Sequence, residues 1–254
     1  MTKQRHYPKA PIIEAIIDFR VKQADTVSLP HLSRIAELNR DLYPHQEAIS
    51  TALGQTIFQF GESIGSQSSF TTQQIGFRLT DQTKKQIVQT RLDGFTFSIL
   101  HPYDCWETFC AEAKRLWKQY QEASDIQNIW RVAVRYINRF NLPLHGEIDL
   151  AAFLTTAPHI AKVQGQQIAG FFMQLQLWQE DLECMLILNE GIAPPQTENQ
   201  VSILFDIDIF QERTNDPWRI ENESELWNFL NVLRSRKNEF FEASITEQTR
   251  ELIK

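Results

Sequence analysis

Two stretches decide the fold: PIIEAIIDFRV, from Pro11 to Val21, and IWRVAVRYINRF, from Ile129 to Phe140. In both stretches apolar residues alternate with polar ones, which is the pattern of a half-buried β-strand. Each stretch opens one half of the chain, and each half ends in a long amphipathic helix that reaches the sequence Glu-Ala-Ser, at 122–124 and at 242–244. The similar order of elements indicates that one structural unit occurs twice.

The sequence therefore predicts an α+β fold made of two tandem repeats, each composed of a strand, a helix, an antiparallel sheet and a second helix. The repeats span residues 1–126 and 127–254, and we expect them to share one core because each is small. The final helices are predicted near 103–124 and 223–244, packed on one face of a curved sheet. The polar stretch 61–73 is predicted to be an exposed loop.

The composition indicates a folded chain and disfavours nucleic acid as the main partner. The 254 residues include 17 Phe and 6 Trp, and disordered chains are poor in such residues. The formal net charge is -7, whereas binding of a nucleic-acid backbone needs clustered Lys and Arg. No run has the length of a transmembrane helix, and the first residues lack the apolar core of a signal peptide. We expect a cytoplasmic protein without membrane association.

The chain carries no spacing that is typical of a familiar catalytic or cofactor site. Its nine glycines form neither GxGxxG nor GxxxxGK[ST], and no GxSxG turn occurs. The six histidines are scattered without HExxH spacing, and the three cysteines form no CxxC pair. We therefore expect no bound cofactor, no disulfide framework and no catalytic residue that the sequence alone can assign.

The mid-chain strand presents a row of arginines on one face, and the first strand presents opposite charges on its polar face. The arginines are Arg131, Arg135 and Arg139, and the polar positions of the first strand are Glu14, Asp18 and Arg20. If the two strands are neighbours, these charges form cross-strand ion pairs. We predict that Arg135 contacts Glu14 or Asp18. Contact of the arginine row with phosphate or nucleic acid is the alternative interpretation.

Asp206 and Asp208, in the stretch FDIDIF, lie on the same side of a predicted strand. Their spacing is about 7 Å at the usual strand rise. Such a pair of carboxylates could hold a hard cation. It could equally form the solvated face of a half-buried strand. We favour the second interpretation and assign no metal site.

The run from Ala10 to Arg20 resembles the opening signature of an uncharacterised, sporadically distributed bacterial family of about this length. Two further stretches resemble the same family: Arg135-Tyr136-Ile137-Asn138-Arg139, and the pattern Phe-x-x-Ser-Ile-Thr from Phe241 to Thr246. The patchy distribution of that family implies an accessory system, such as phage defence or a toxin-antitoxin module. The matching residues Glu14, Arg20, Arg135 and Asn138 could be functional or could join the repeats, and we favour the second role.

Three hypotheses about function follow from these patterns. The leading one is a non-enzymatic interaction or regulatory protein that binds a protein partner or assembles with itself, because the aromatic residues can furnish an interface as well as a core. The second is an enzyme, such as a metal-dependent hydrolase or nuclease, whose site is assembled across the repeats. The third is a binding module, with either an aromatic-lined cavity for a small ligand or a sheet face for nucleic acid.

Overall fold

The fold is built on one antiparallel sheet with helices packed against it. The structure is a computed structural model that describes residues 5, 7–59, 65–143, 149–161, 163–164 and 168–254. The strands of the described part are β1 (Ile12–Gln23), β2 (His45–Gln59), β3 (Gly65–Thr80), β4 (Gln86–Arg91), β5 (Gly94–Leu100), β6 (Ile126–Pro143), β7 (Phe172–Gln179), β8 (Cys184–Ala193) and β9 (Gln200–Glu212). The helices are α1 (Leu29–Leu38), α2 (Trp106–Ala123), α3 (Glu223–Ser244) and α4 (Glu247–Leu252).

The nine strands lie in the order β2-β3-β4-β5-β1-β6-β9-β8-β7. The two stretches that open the halves of the chain, β1 and β6, are central neighbours and pair in antiparallel fashion, with Ile17 opposite Val134. On its other side β1 pairs with β5, and β6 pairs with β9. The strands at the two ends of this order are β2 and β7. Of the helices in the described residues, none is both long enough and apolar enough to cross a membrane.

The predicted fold of two tandem α+β repeats is wrong. The strands of both halves join in one continuous nine-stranded sheet, and strands hold more residues than helices. After β1 the chain forms the ten-residue helix α1, whereas after β6 the described residues form only the 3-10 turn Leu150–Ala152. Periodicity located the opening strands and the long helices, but it carries no information about which strands pair.

The predicted loop at 61–73 is also wrong for its described part. Residues 65–73 belong to β3 and pair with β2, and residues 61–64 lie outside the described residues. The stretch SQSSFTTQQ has no alternation of apolar and polar residues, so it lacks the signal by which a strand is recognised. Backbone pairing to β2 forms the strand without that signal.

The core lies between one face of the sheet and the helices α2 and α3. Phe19 of β1 is fully buried, and the centre of its ring lies 4.6 Å from that of Trp117 and 5.6 Å from that of Trp227. One side chain of the central strand therefore packs against both long helices. Further along the sheet Phe205 and Phe241 make a similar contact between β9 and α3. Burial of each such ring contributes roughly 1.5–3 kcal/mol.

Candidate functional site

The sheet face that points away from Phe19 carries a network of paired charges. We call it the arginine network, and it comprises Asp18, Arg20, Arg91, Arg131, Arg135, Asp206 and Asp208. It includes most of the candidate site residues predicted from the sequence. Successive side chains of a strand alternate between its two faces, so residues at every second position lie on the same face. Its members come from β1, β4, β6 and β9.

Asp18 is the acidic centre of the network and is only 9% exposed. Its oxygens accept hydrogen bonds from Arg131 at 2.9 Å and from the Thr96 hydroxyl at 2.7 Å. Arg20 and Arg91 also contact it, at 3.1 and 3.2 Å. Burial alone raises the pKa of Asp18, but the surrounding guanidinium groups and the bond from Thr96 outweigh that effect and hold the pKa below its ordinary value.

The partner predicted for Arg135 is wrong. Arg135 forms a bidentate pair with Asp206 of β9, at 2.8 and 2.6 Å, and does not bond to Glu14 or Asp18. The neighbouring arginine of the row, Arg131, makes the contact with Asp18. The reason is register: Arg135 lies opposite Asp208 and next to Asp206 on β9, whereas Arg131 lies opposite Arg20 on β1, beside Asp18.

The remaining residues of the sequence prediction lie at different places. Glu14 forms no hydrogen bond with Arg135 and interacts with it only through longer-range electrostatic attraction. Arg139 bonds to the Ser202 hydroxyl at 3.0 Å and to the carbonyl of Pro194, toward one end of β6. Asn138 points to the opposite face of the sheet, is 2% exposed, and donates to the Phe205 carbonyl at 3.0 Å. The structure therefore does not bring all the predicted site residues together.

The two aspartates considered for a metal are both engaged by arginine. Asp206 accepts from Arg135 and from the Asn189 amide at 3.0 Å, and Asp208 accepts from Arg131 at 3.1 Å. Burial raises the pKa of Asp208 despite the neighbouring guanidinium groups. Among the described residues no group of three or more His, Cys, Asp or Glu side chains converges on one point. A cation would have to displace these arginines to reach the carboxylates.

A second arrangement of chemically active residues lies on the helix-covered side of the sheet. There a cavity of about 910 Å³ opens between β6, α3, the residues that lead into α2, and the N-terminal segment before β1. Its lining combines aromatic rings with charged groups: Tyr7, Tyr103, Trp106, Tyr136, Arg234 and Lys237 are among them. The N-terminal wall is held by a bond from Tyr7 to Glu242 at 2.9 Å and from the Lys9 amide to the Ile253 carbonyl at 3.1 Å.

Lys237 of α3 is the least ordinary residue of this cavity. Its side chain is buried, with 7% of the residue exposed, and its Nζ lies 3.7 Å from the centre of the Tyr136 ring. Among the described residues no carboxylate lies within 4.0 Å of this amine, and no hydrogen bond reaches it. Burial, together with the charge of Arg234, lowers the pKa of Lys237 to about 7.

Arg234 lies one turn before Lys237 on the same helix and lines the same cavity. Its Cζ lies 5.3 Å from the centre of the Trp106 ring, and within the described part of the chain no carboxylate pairs with it. Two of the acidic side chains that line the cavity are engaged by other arginines. Glu239 pairs with Arg236 at 3.4 Å, and Glu242 pairs with Arg250 at 3.3 Å. We call Arg234 and Lys237 the unpaired cations.

Two tyrosines complete the polar surface next to the unpaired cations. The hydroxyls of Tyr103 and Tyr136 are 3.0 Å apart and share a hydrogen bond. Burial raises the pKa of Tyr103 to about 12 and raises that of Tyr136 well above its ordinary value. Both phenols are therefore neutral at physiological pH, so the pair can donate a hydrogen bond to a ligand but supplies no negative charge to the cations.

The sequence analysis considered an aromatic-lined cavity as one hypothesis but assigned no residues of α3 to it, although one signal was present. The buried residues of α3 are Leu226, Trp227, Leu230, Leu233, Lys237, Phe241 and Ser244, and from Trp227 onward they recur at steps of three and four. A lysine therefore occupies a position where the pattern requires an apolar side chain. Buried lysines are rare without a partner. A lysine on the apolar stripe of a helix is the signal that could have identified the site.

Comparison with known protein families finds no family that matches this chain, and comparison with curated proteins finds no match to its sequence. The interpretation of the cavity therefore depends on its own geometry. Three separate stretches of the chain contribute to its lining, through Pro11 and Ile12, through Tyr136 and Asn138, and through Phe241. These stretches are far apart in sequence and meet at this one place.

Proposed function

We propose that this chain is a cytoplasmic ligand-binding protein that holds a small organic anion, a carboxylate or a phosphate ester, in the cavity of the unpaired cations. The observation that carries the proposal is that Arg234 and Lys237 line one cavity while, among the described residues, neither has a carboxylate partner. The volume of about 910 Å³ lies within the range of small-molecule sites.

The energetics of the two cations support an anionic ligand. A buried charge without a partner destabilises a folded protein, usually by several kcal/mol. The ring faces of Trp106 and Tyr136 offset part of this cost, because each cation–π contact contributes about 0.5–2 kcal/mol. An anion between the cations would offset more of the cost, and it would do so only in the bound state.

The arginine network supplies no comparable site for nucleic acid or for a metal. Its arginines are already bonded to carboxylates, so little free positive charge remains on that face. Its aspartates are bonded to arginines, so they offer no ready ligand set for a cation. These pairings favour a structural role for the network, and they weigh against the nuclease and nucleic-acid hypotheses.

The proposal is tested by calorimetric titration and thermal-shift measurements with small carboxylates and phosphate esters, each paired with its neutral amide or alcohol. We expect binding of one or more anions and not of the neutral counterparts. Arg234→Gln and Lys237→Met should each weaken that binding by at least about tenfold, the loss of one charge-assisted hydrogen bond. Binding that is equal for anions and neutral counterparts, or that survives both substitutions, would contradict the proposal.

Arg78→Gln is the matched control for this experiment. Arg78 lies on β3, outside the lining of the cavity, and its exposed side chain is 3.8 Å from Glu47. This substitution changes the net charge of the protein by the same amount as Arg234→Gln. Ligand affinity should therefore be unchanged in Arg78→Gln, and an equal loss in all three variants would indicate a nonspecific effect of net charge.

A second candidate function, self-association through β7, is supported by a separate observation. β7 is the last strand of the sheet, and its Phe172 and Trp178 are 75% and 59% exposed. The strand FMQLQLWQ contains no charged residue, although edge strands are usually protected by lysine or other charges. We propose that a second copy of the chain pairs with this edge in antiparallel fashion, since no like charges oppose the contact.

Light scattering after size-exclusion chromatography over a range of protein concentrations tests this second candidate. The unchanged protein should form dimers, and Trp178→Lys should shift it to monomers. Leu38→Lys is the control, because Leu38 is an equally exposed apolar residue on α1, at 68%. Monomers at all concentrations, or dimers that persist in Trp178→Lys, would contradict dimerisation at β7.

A further inference from the structure

The position of Lys237 suits its amine for a chemical reaction with a ligand, in addition to the electrostatic attraction of an anion. Its amine lies inside a cavity, 3.7 Å from the centre of the Tyr136 ring, and among the described residues neither a carboxylate nor a hydrogen-bond acceptor holds it. Most lysines of this chain are on the surface, where the ammonium form is hydrated and does not react. A buried amine that faces a ligand-sized space can act as a nucleophile once it loses its proton.

We propose that Lys237 forms a reversible imine with the carbonyl group of a small 2-oxo acid bound in the cavity. This inference rests on the proposed function and specifies its ligand class. The carboxylate of such a ligand would contact the guanidinium group of Arg234, and its carbonyl carbon would face the amine of Lys237. Side chains three residues apart on a helix have Cβ atoms about 5–6 Å apart, which allows one small ligand to contact both.

The reaction is balanced without an oxidant or a cofactor. The lone pair of the neutral amine attacks the carbonyl carbon, a C–N bond forms as the C=O π bond breaks, and one proton passes from the nitrogen to the oxygen to give a neutral carbinolamine. The C–O bond of that intermediate then breaks, the hydroxyl group leaves as water with the second proton of the nitrogen, and the C–N bond becomes a C=N bond. One molecule of water is released, and its addition reverses the reaction.

The surroundings of Lys237 favour each part of this reaction. Burial and the charge of Arg234 lower the pKa of the amine to about 7, so a large fraction is neutral at physiological pH. The hydrogen-bonded hydroxyls of Tyr103 and Tyr136 line the same side and are protonated, so they can donate to the departing hydroxyl group. The other charged groups of the lining are Arg5, Lys9, Asp104, Glu107, Glu239, Glu242 and Arg250.

The inference is tested by trapping with pyruvate and sodium borohydride, which reduces an imine to a stable secondary amine. Peptide mapping by mass spectrometry then locates the modified lysine. We expect modification of Lys237 at least about tenfold faster than of Lys22 and Lys85, which are exposed and lie outside the cavity, because only an amine with a lowered pKa is neutral at pH 7. The rate should rise with pH and level off above the pKa of Lys237.

Matched ligands and variants separate this inference from the proposed function. Lactate carries the same carboxylate as pyruvate but has a hydroxyl group in place of the ketone. It should therefore bind in the cavity without modifying Lys237, and it should slow the trapping of pyruvate. Lys237→Met should abolish the adduct, Arg234→Gln should slow its formation, and Arg78→Gln should leave it unchanged. If calorimetry shows that pyruvate binds but no adduct forms at Lys237, the imine is refuted and the anion site stands. If no anion binds, both proposals fail.

Discussion

The two faces of the sheet use basic residues in opposite ways. On one face Arg131 and Arg135 are bonded to aspartates of neighbouring strands, at 2.9 and 2.6 Å for their shortest contacts. On the other face Arg234 and Lys237 point into a cavity, and their contacts among the described residues are with aromatic rings. Both groups are at least partly buried, so the difference lies in pairing and not in exposure.

The difference in pairing distinguishes charged residues that stabilise the fold from charged residues that can bind a ligand. A paired arginine has its electrostatic potential neutralised and its hydrogen-bond donors occupied, so it fixes strand register and offers little to a partner. An unpaired buried cation lowers the stability of the free protein. Such a residue is therefore a better indicator of a site than a row of charges in the sequence.

The largest effect is expected at the centre of the arginine network. Asp18→Asn leaves three guanidinium groups around a neutral amide, and we expect it to lower the free energy of unfolding by about 3–5 kcal/mol at neutral pH. Because the folded pKa of Asp18 is depressed, its contribution is present above the ordinary value of 3.8 and is lost as pH falls through the folded pKa. Urea unfolding at several pH values measures both effects, and an equally stable variant would contradict the network's structural role.

Substitution of Lys237, one of the two unpaired cations, is expected to stabilise the protein. Lys237→Met keeps an unbranched apolar side chain and removes the buried charge, so it should raise the free energy of unfolding by about 3 kcal/mol near pH 6. The folded pKa lies below the ordinary value of 10.5, so wild-type stability should rise between about pH 7 and 10.5 relative to the variant. Denaturation across this range tests the sign. A destabilised variant at pH 6 would indicate that Lys237 is compensated.

A smaller loss is expected at the more exposed member of the network. Arg135 has 40% of its side chain exposed, and its partner Asp206 keeps the bond from Asn189. Arg135→Ala should therefore lower the free energy of unfolding by only about 1–2 kcal/mol after allowance for solvent screening. Urea unfolding of Arg135→Ala and Asp18→Asn under the same conditions compares their losses in the free energy of unfolding. A larger loss in Arg135→Ala would contradict the proposed order.

The smallest effect is expected at a surface ion pair. Arg78 and Glu47 are 3.8 Å apart, and both side chains are well exposed. Glu47→Gln should change the free energy of unfolding by less than about 0.5 kcal/mol. This substitution is the control for Asp18→Asn, since each removes one carboxylate that faces arginine on the sheet. A loss comparable to that of Asp18→Asn would show that burial does not decide the strength of these pairs.

Part of the fold could be predicted because it depends on local periodicity. The pattern of β1 and β6 identified both central strands, and the apolar stripes of α2 and α3 located both helices to within a few residues. Strand partners could not be predicted in the same way. The pairing of Arg135 with Asp206 depends on the placement of β9 beside β6, which no local pattern determines.

The residues that form the cavity could not be assigned from the sequence, for a related reason. Its walls come from residues near 5–12, 101–107, 136–138 and 234–250, so its members are neighbours only after folding. Lys237 was the one residue with a local signal, because it interrupts the apolar stripe of α3. Among the candidate charged and polar site residues predicted from the sequence, only Asn138 lines this cavity.

Titration of Lys237 by NMR, in protein with isotopically labelled lysine and assigned by comparison with Lys237→Met, directly tests whether this residue is an unpaired buried cation. We expect the amine to titrate with a midpoint near pH 7, and a bound carboxylate or phosphate to raise that midpoint. A midpoint near the ordinary value of 10.5, unchanged by every anion tested, would show that Lys237 is not an unpaired buried cation and would contradict the proposed anion site.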